Sequence, residues 1–96
     1  MVNVYLIGHI TVKDVKKWQF YRNLVPASLE PWHGELVLRG KLSRILTGSH
    51  HHTDTVIIKF PNLQSLNGWY NSSRYQSLIP VREEAADMEL LVFSDS

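Results

Sequence analysis

The sequence has no cysteine, and that absence removes disulfides, thiolate nucleophiles and cysteine-bound zinc or iron–sulfur sites together. It has no surplus of one charge. Ten Lys and Arg face nine Asp and Glu, and the basic residues are spread out, giving no stripe of the kind a phosphate backbone requires. Nucleic acid is therefore excluded as an expected partner. No Gly-x-Ser-x-Gly elbow or phosphate-cradling glycine loop occurs, and spacing singles out no Ser/His/Asp set. Long hydrophobic runs are also missing. Residues 1–10 are apolar but short, lack a preceding cationic segment and include Asn3 and His9, so they read as a strand and not as a signal peptide or membrane span. The expected location is the cytoplasm, with no membrane partner.

What remains is an ordinary globular composition: 44% hydrophobic, 20% charged, 5 Gly and 4 Pro in 96 residues. That length holds one core and hence one domain, residues 1–96. A chain so short buries only about 60–70% of its unfolded surface, which puts its stability in the lower half of the usual range of about 5–15 kcal/mol unless a second subunit adds buried area.

Apolar or small residues alternate from Val2 through Val4, Leu6 and Gly8 to Ile10, the period of a strand. A helix follows, with Thr11 as a possible cap, Asp14 in its first turn and Val15, Trp18, Tyr21 and Val25 on one side. Pro26 predicts a kink or a restart that reaches Leu29 and Trp32, and Gly34 is expected to supply the left-handed residue after the helix. Residues 35–40 alternate as a strand with Leu36 and Leu38 facing the core, and strand character resumes through Leu42, Ile45 and Leu46. After a polar loop, Val56, Ile58 and Phe60 mark the core face of a third strand. Pro61 stops it, Asn62 caps an amphipathic helix through Leu63, Leu66, Trp69 and Tyr70, and Pro80 again kinks or restarts a helix before a last strand through Met88, Leu90 and Val92.

The order βαββαβ predicts an α+β, ferredoxin-like plait: an antiparallel sheet with its helices on one face. The other face collects Tyr5, Ile7, His9, Val37, Arg39, Ile57, Leu91 and Phe93, which is too apolar to stand open to water. Two such sheets meeting across a twofold axis would bury it, so a homodimer is expected.

Phe60-Pro61, Trp69-Tyr70 with Ser72, Tyr75-Gln76 and Arg82 resemble bacterial proteins of domain-of-unknown-function family 1330 (DUF1330). Further landmarks are Asp14, Trp18 and Tyr21, Gly34, Leu38-Arg39-Gly40, Leu46, Gly48 and Ala85. The resemblance spans nearly the whole chain. It implies a dimeric α+β barrel and no particular reaction. Two departures stand out: His33-Gly34 replaces the usual Gly-Gly pair, and Thr47 stands where an acidic residue is expected before Gly48.

Three constellations carry possible chemistry. Trp18, Tyr21, Trp69, Tyr70 and Arg82 combine large aromatics with a bidentate cation, and would line a pocket between helices and sheet for a small aromatic or acidic ligand. The plainer reading is core packing. His9 and Arg39, both expected on the off-core face, would converge as a base and an anion holder, or else form an interface ion pair. His50-His51-His52 lie in an extended loop where at most two can share a metal; His50 and His52 are the candidates, but a solvated loop that binds metal adventitiously is the preferred reading, and no cofactor or physiological metal is expected. Two functions follow. One is a cofactor-independent enzyme of small organic molecules, by analogy with related barrels. The other is a non-catalytic ligand-binding or interaction module whose dimer is the working unit.

Overall fold

The alternation near the amino terminus becomes the central strand of the sheet. In the computed structural model, which describes residues 3–95, β1 (Val4–Val12) pairs with β3 (Asp54–Phe60) on one side and β4 (Ala86–Ser94) on the other. Strand β2 (Glu35–Lys41) pairs with β3, giving the order β2-β3-β1-β4 with every neighbour antiparallel. This is the ferredoxin-like α+β arrangement read from the sequence. Val2, expected in the first strand, lies outside the described residues.

Helix α1 (Val15–Leu29) is capped by Asp14, whose carboxylate accepts from the Lys17 backbone N–H at 3.1 Å; Thr11 does not cap it. Pro26 sits inside this helix without ending it. Its missing N–H leaves the Arg22 carbonyl without its usual partner four residues on, and Arg39 Nη2 donates to that oxygen at 3.4 Å. A 3₁₀ turn (Glu30–Trp32) follows. The left-handed residue after it is His33 (φ 57°), not Gly34. Gly34 is required for space: a Cβ there would lie 2.7 Å from Leu29 Cδ2 and 3.0 Å from Phe60 Cε1.

Asn62 caps α2 (Leu63–Asn71), accepting from the Ser65 N–H at 2.8 Å. Ser72 then ends α2 and caps the short α3 (Ser73–Gln76). Pro80 stands in the first turn of α4 (Ile79–Ala85), a restart and not a kink. Among the described residues, no helix is long and apolar enough to cross a membrane.

Helices and sheet enclose one core: Val4, Leu6, Ile58 and Phe60 from the sheet, Tyr21, Val25 and Leu29 from α1, Leu66 and Trp69 from α2, then Tyr75 and Leu78. Gly68 lets α2 approach the Trp32 ring, since a Cβ at that position would fall 2.3 Å from it. On the opposite face, the strand register aligns Leu38, Ile57, Ile7 and Leu91 in one row across all four strands, with Tyr5 and Phe93 beside it. Leu91 and Phe93 are 42% and 53% exposed.

One expectation about β2 is overturned. Leu36 pairs with Ile58 but Leu38 pairs with Ile57, so a bulge at Val37 shifts the alternation by one residue. Leu38 thereby joins the open face, and Arg39, opposite Val56, turns to the helix side.

Trp69 is 1% exposed. Trp69→Ala should therefore cost about 3–5 kcal/mol in denaturant melts through lost transfer energy plus a cavity, while Gly68→Ala should cost about 1–3 kcal/mol by forcing Trp32 aside. A loss below about 1 kcal/mol for Trp69→Ala would contradict its core position.

Candidate functional site

Between α1 and the sheet the core is incompletely filled. A cavity of about 230 Å³ lies there. Its floor is aromatic and buried, formed by Tyr21, Trp69 and Tyr75, with Trp18 and the aliphatic Leu6, Val25 and Ile58 on its walls. Its rim, toward edge strand β2, carries Arg22, Arg39, Lys41 and Asp54. Among the described residues, Lys41 and Asp54 pair at 3.4 Å, whereas neither Arg22 nor Arg39 forms an ion pair.

Two local features bring Arg39 to this rim. The bulge at Val37 turns it to the helix side, and the carbonyl orphaned by Pro26 gives its guanidinium an acceptor on α1. Partial burial, and then the like charge of Arg22, pull the Arg39 pKa below its usual value. Arginine nevertheless stays protonated, so the rim presents two neighbouring cations to whatever enters.

Below the rim runs a hydrogen-bonded line of side chains. Arg82 Nη1 donates to the Tyr75 hydroxyl at 3.0 Å, and that hydroxyl lies 2.8 Å from the Tyr21 hydroxyl. Burial, followed by the neighbouring Tyr75, raises the Tyr21 pKa far above that of a free phenol. Tyr21 is thus held neutral at physiological pH, able to donate a hydrogen bond and unable to act as a base. Burial disfavours the Arg82 charge, but contact with Tyr75, and with Tyr70 beyond it, outweighs this and raises its pKa. Trp69 Nε1 donates to Ser28 Oγ at 3.0 Å, and Ser28 Oγ to the Val25 carbonyl at 2.6 Å. Among the described residues, no buried side-chain nitrogen or oxygen lacks a partner.

Of the five residues expected around a ligand, Trp18, Tyr21 and Trp69 line the cavity, while Tyr70 and Arg82 do not. Tyr70 stands behind Tyr75, ring centroids 5.5 Å apart. Arg82 reaches Tyr75 from outside the cavity and also contacts Glu83 at 3.5 Å. Sequence spacing brought Arg82 near the aromatics but could not show that Tyr75 stands between it and the cavity.

His9 and Arg39 do not converge. His9 remains on the open face, with Nδ1 3.2 Å from Thr55 Oγ1, and the β2 bulge has moved Arg39 to the other side. Nor are His50 and His52 the close pair of the histidine loop: their ring centroids are 5.8 Å apart, against 4.1 Å for His51 and His52. The pairing of Arg22 with Arg39 was missed from sequence. The usable signal was Pro26, which orphans a carbonyl four residues earlier, at Arg22.

Residues 3–95 match the sequence model of the family described as Domain of unknown function (DUF1330). No curated protein matches the sequence. Among solved structures, a protein of unknown function from Rhodopseudomonas palustris superposes with a TM-score of 0.82 at 14% identity, covering 95% of this chain and 80% of that one. A dimeric ferredoxin-like protein of unknown function from Jannaschia sp. CCS1 gives 0.76 at 7% identity, covering 95% and 97%. SnoaB, a cofactor-independent oxygenase from Streptomyces nogalater, gives 0.70 at 11% identity, covering 100% and 95%. At these identities the likeness concerns the fold.

The hydroxyl line makes its own prediction. Tyr75→Phe strips Arg82 of its acceptor and Tyr21 of its partner, and should cost about 1–3 kcal/mol. Tyr21→Phe should cost less, because the Tyr75 oxygen keeps its bond to Arg82. Urea melts of both variants check the order, and a neutral Tyr75→Phe would contradict it.

Proposed function

Because this chain belongs to the DUF1330 family, which is defined by sequence and not by a reaction, its activity has to be argued from the site, and we propose that it takes a small aromatic acid into the cavity beneath α1 and acts on it without a cofactor. The observation that carries this reading is the pairing of a buried aromatic floor with two rim arginines that have no carboxylate partner among the described residues. A flat ring stacks or packs edge-on against Trp18, Tyr21 and Trp69. A carboxylate on that ring meets Arg39 and Arg22, whose guanidinium forks match it in shape and charge.

Size supports a small ligand. An engineered apolar cavity of about 150 Å³ accepts benzene, so a space of about 230 Å³ suits one ring with a short acidic substituent. Within the cavity, a carbonyl or developing oxyanion near Tyr21 would accept from a phenol that its surroundings keep protonated. Arg82, through Tyr75, polarises that phenol from behind. The same fold in a cofactor-independent oxygenase supports an enzyme by analogy of fold alone. The neutral state of Tyr21, which gives the cavity a donor where a reaction would need a base, favours the second reading: a non-catalytic module that binds such acids.

We further propose that the working unit is a homodimer joined through the open sheet face. The row Leu38, Ile57, Ile7 and Leu91, flanked by Tyr5 and Phe93, is contiguous apolar surface that a second copy would remove from water. The Jannaschia protein with this fold is dimeric.

Benzoate and its ring-substituted analogues should raise the melting temperature of the protein where the matching benzamides do not. Arg39→Met should abolish that shift, while replacing His50, His51 and His52 together by Ser should leave it intact. An equal response to acids and amides, or full binding by Arg39→Met, would contradict the pocket. If acids bind and none is turned over in air, the binding module stands and the enzyme falls.

Light scattering at micromolar concentration should give twice the 11.1 kDa chain mass. Ile57→Glu should dissociate the dimer, because it places an unpaired charge among apolar neighbours, and Lys59→Glu should weaken it less. A stable monomer would contradict the interface.

A further inference from the structure

We propose that His51, His52 and Glu89 form a binding site for one divalent first-row transition-metal ion, beside the pair of Glu89 with His9, one pleat along the sheet from the Ile7–Leu91 pair of the apolar row, and separate from the cavity beneath α1. The three side chains come from two places in the chain: the loop entering β3 and the middle of β4. Their nitrogen and oxygen donors lie within 4.8 Å of one another. His52 Nε2 stands 2.6 Å from Glu89 Oε1, and His51 Nε2 stands 4.0 Å from the same oxygen.

Ligands at about 2 Å from a tetrahedral ion are about 3.3 Å apart. The two distances to Glu89 Oε1 bracket that value and the whole donor set lies within 4.8 Å, so closing around an ion is chiefly a movement of His51, whose side chain is 80% exposed and free to make it. Two imidazoles and one carboxylate suit zinc, iron(II), cobalt or nickel, and exclude calcium and magnesium, which want all-oxygen shells.

His52 separates this cluster from a chance meeting of surface groups. It is 4% exposed and is held on its far side, with Nδ1 2.9 Å from Thr11 Oγ1. Without an ion, Nε2–H donates to Glu89 Oε1 at 2.6 Å; a bound ion would take the place of that proton, leaving Nδ1–H to be donated to Thr11 Oγ1. An outer hydroxyl that fixes tautomer and ring orientation is the support a metal-ligating histidine usually has. Glu89 faces His9 across the β1–β4 pair. Its side chain is 59% exposed, and a solvated carboxylate is an anion at neutral pH. Three protein ligands leave one position of a tetrahedron for water or for a fourth group.

Isothermal titration of the chelator-treated full-length protein with zinc chloride, in a buffer that does not bind metal, tests the site. One zinc per chain should bind. His51→Ala and Glu89→Gln should each weaken it at least tenfold, and Thr11→Val, which leaves all three ligands in place, should weaken it about tenfold by freeing the His52 ring. His50→Ala should change it less than twofold. His52→Ala can disturb folding because that ring is buried, so the other variants carry the test. No binding, a loss in His50→Ala equal to that in His51→Ala, or full affinity in Glu89→Gln would overturn the proposal.

Discussion

A single extra residue in β2 decides which side of the sheet receives a cation. Side chains in a strand alternate, so any shift of one position sends every later residue to the opposite face. Without the bulge at Val37, Arg39 would sit on the open face and break its apolar row, and Leu38 would fill the entrance beneath α1. With it, Leu38 aligns with Ile57, Ile7 and Leu91, and Arg39 reaches the Arg22 carbonyl that Pro26 leaves without a partner. The same local irregularity keeps one face of the sheet apolar and makes the rim of the cavity basic.

The buried aromatics set the depth of that cavity. Trp69 and Tyr75, ring centroids 4.2 Å apart, form its floor, and the Tyr75 hydroxyl can be buried only because Arg82 and Tyr21 satisfy it. Arg82 thus acts as a pillar behind the floor, and a ligand in the cavity would feel it only through Tyr75. Gly68 and Gly34 let α2 approach the Trp32 ring and the start of β2 approach Leu29 and Phe60, packing the core beside the cavity.

Most of the fold was legible because it follows from periodicity and punctuation. Alternation located all four strands, Asn62 and Pro61 marked the start of α2, and Pro80 marked the restart at α4. Failures came where one residue overrides a pattern. Leu36, Val37 and Leu38 are all apolar, so alternation alone could not locate a bulge among them. Gly34 was read as the left-handed residue because glycine tolerates that conformation, whereas His33 adopts it and Gly34 serves packing. The site was half legible. Trp18, Tyr21 and Trp69 could be placed by helical spacing, but the cations at the rim depended on the bulge and on a carbonyl that Pro26 exposes. In the histidine loop, adjacency in sequence suggested divergence, yet His51 and His52 both approach Glu89, a residue 37 positions away from His52.

The central claim is that the cavity beneath α1 receives a one-ring acid with its carboxylate at the Arg39 and Arg22 rim. A crystal structure with 4-bromobenzoate bound, phased on the bromine, tests it most directly. The account predicts a single bromine peak on the aromatic floor, near Trp69 and Tyr75, with the carboxylate turned outward between the two guanidinium groups. Bromine on the open sheet face or in the histidine loop, or a carboxylate directed inward at Tyr75 with Arg39 untouched, would contradict it.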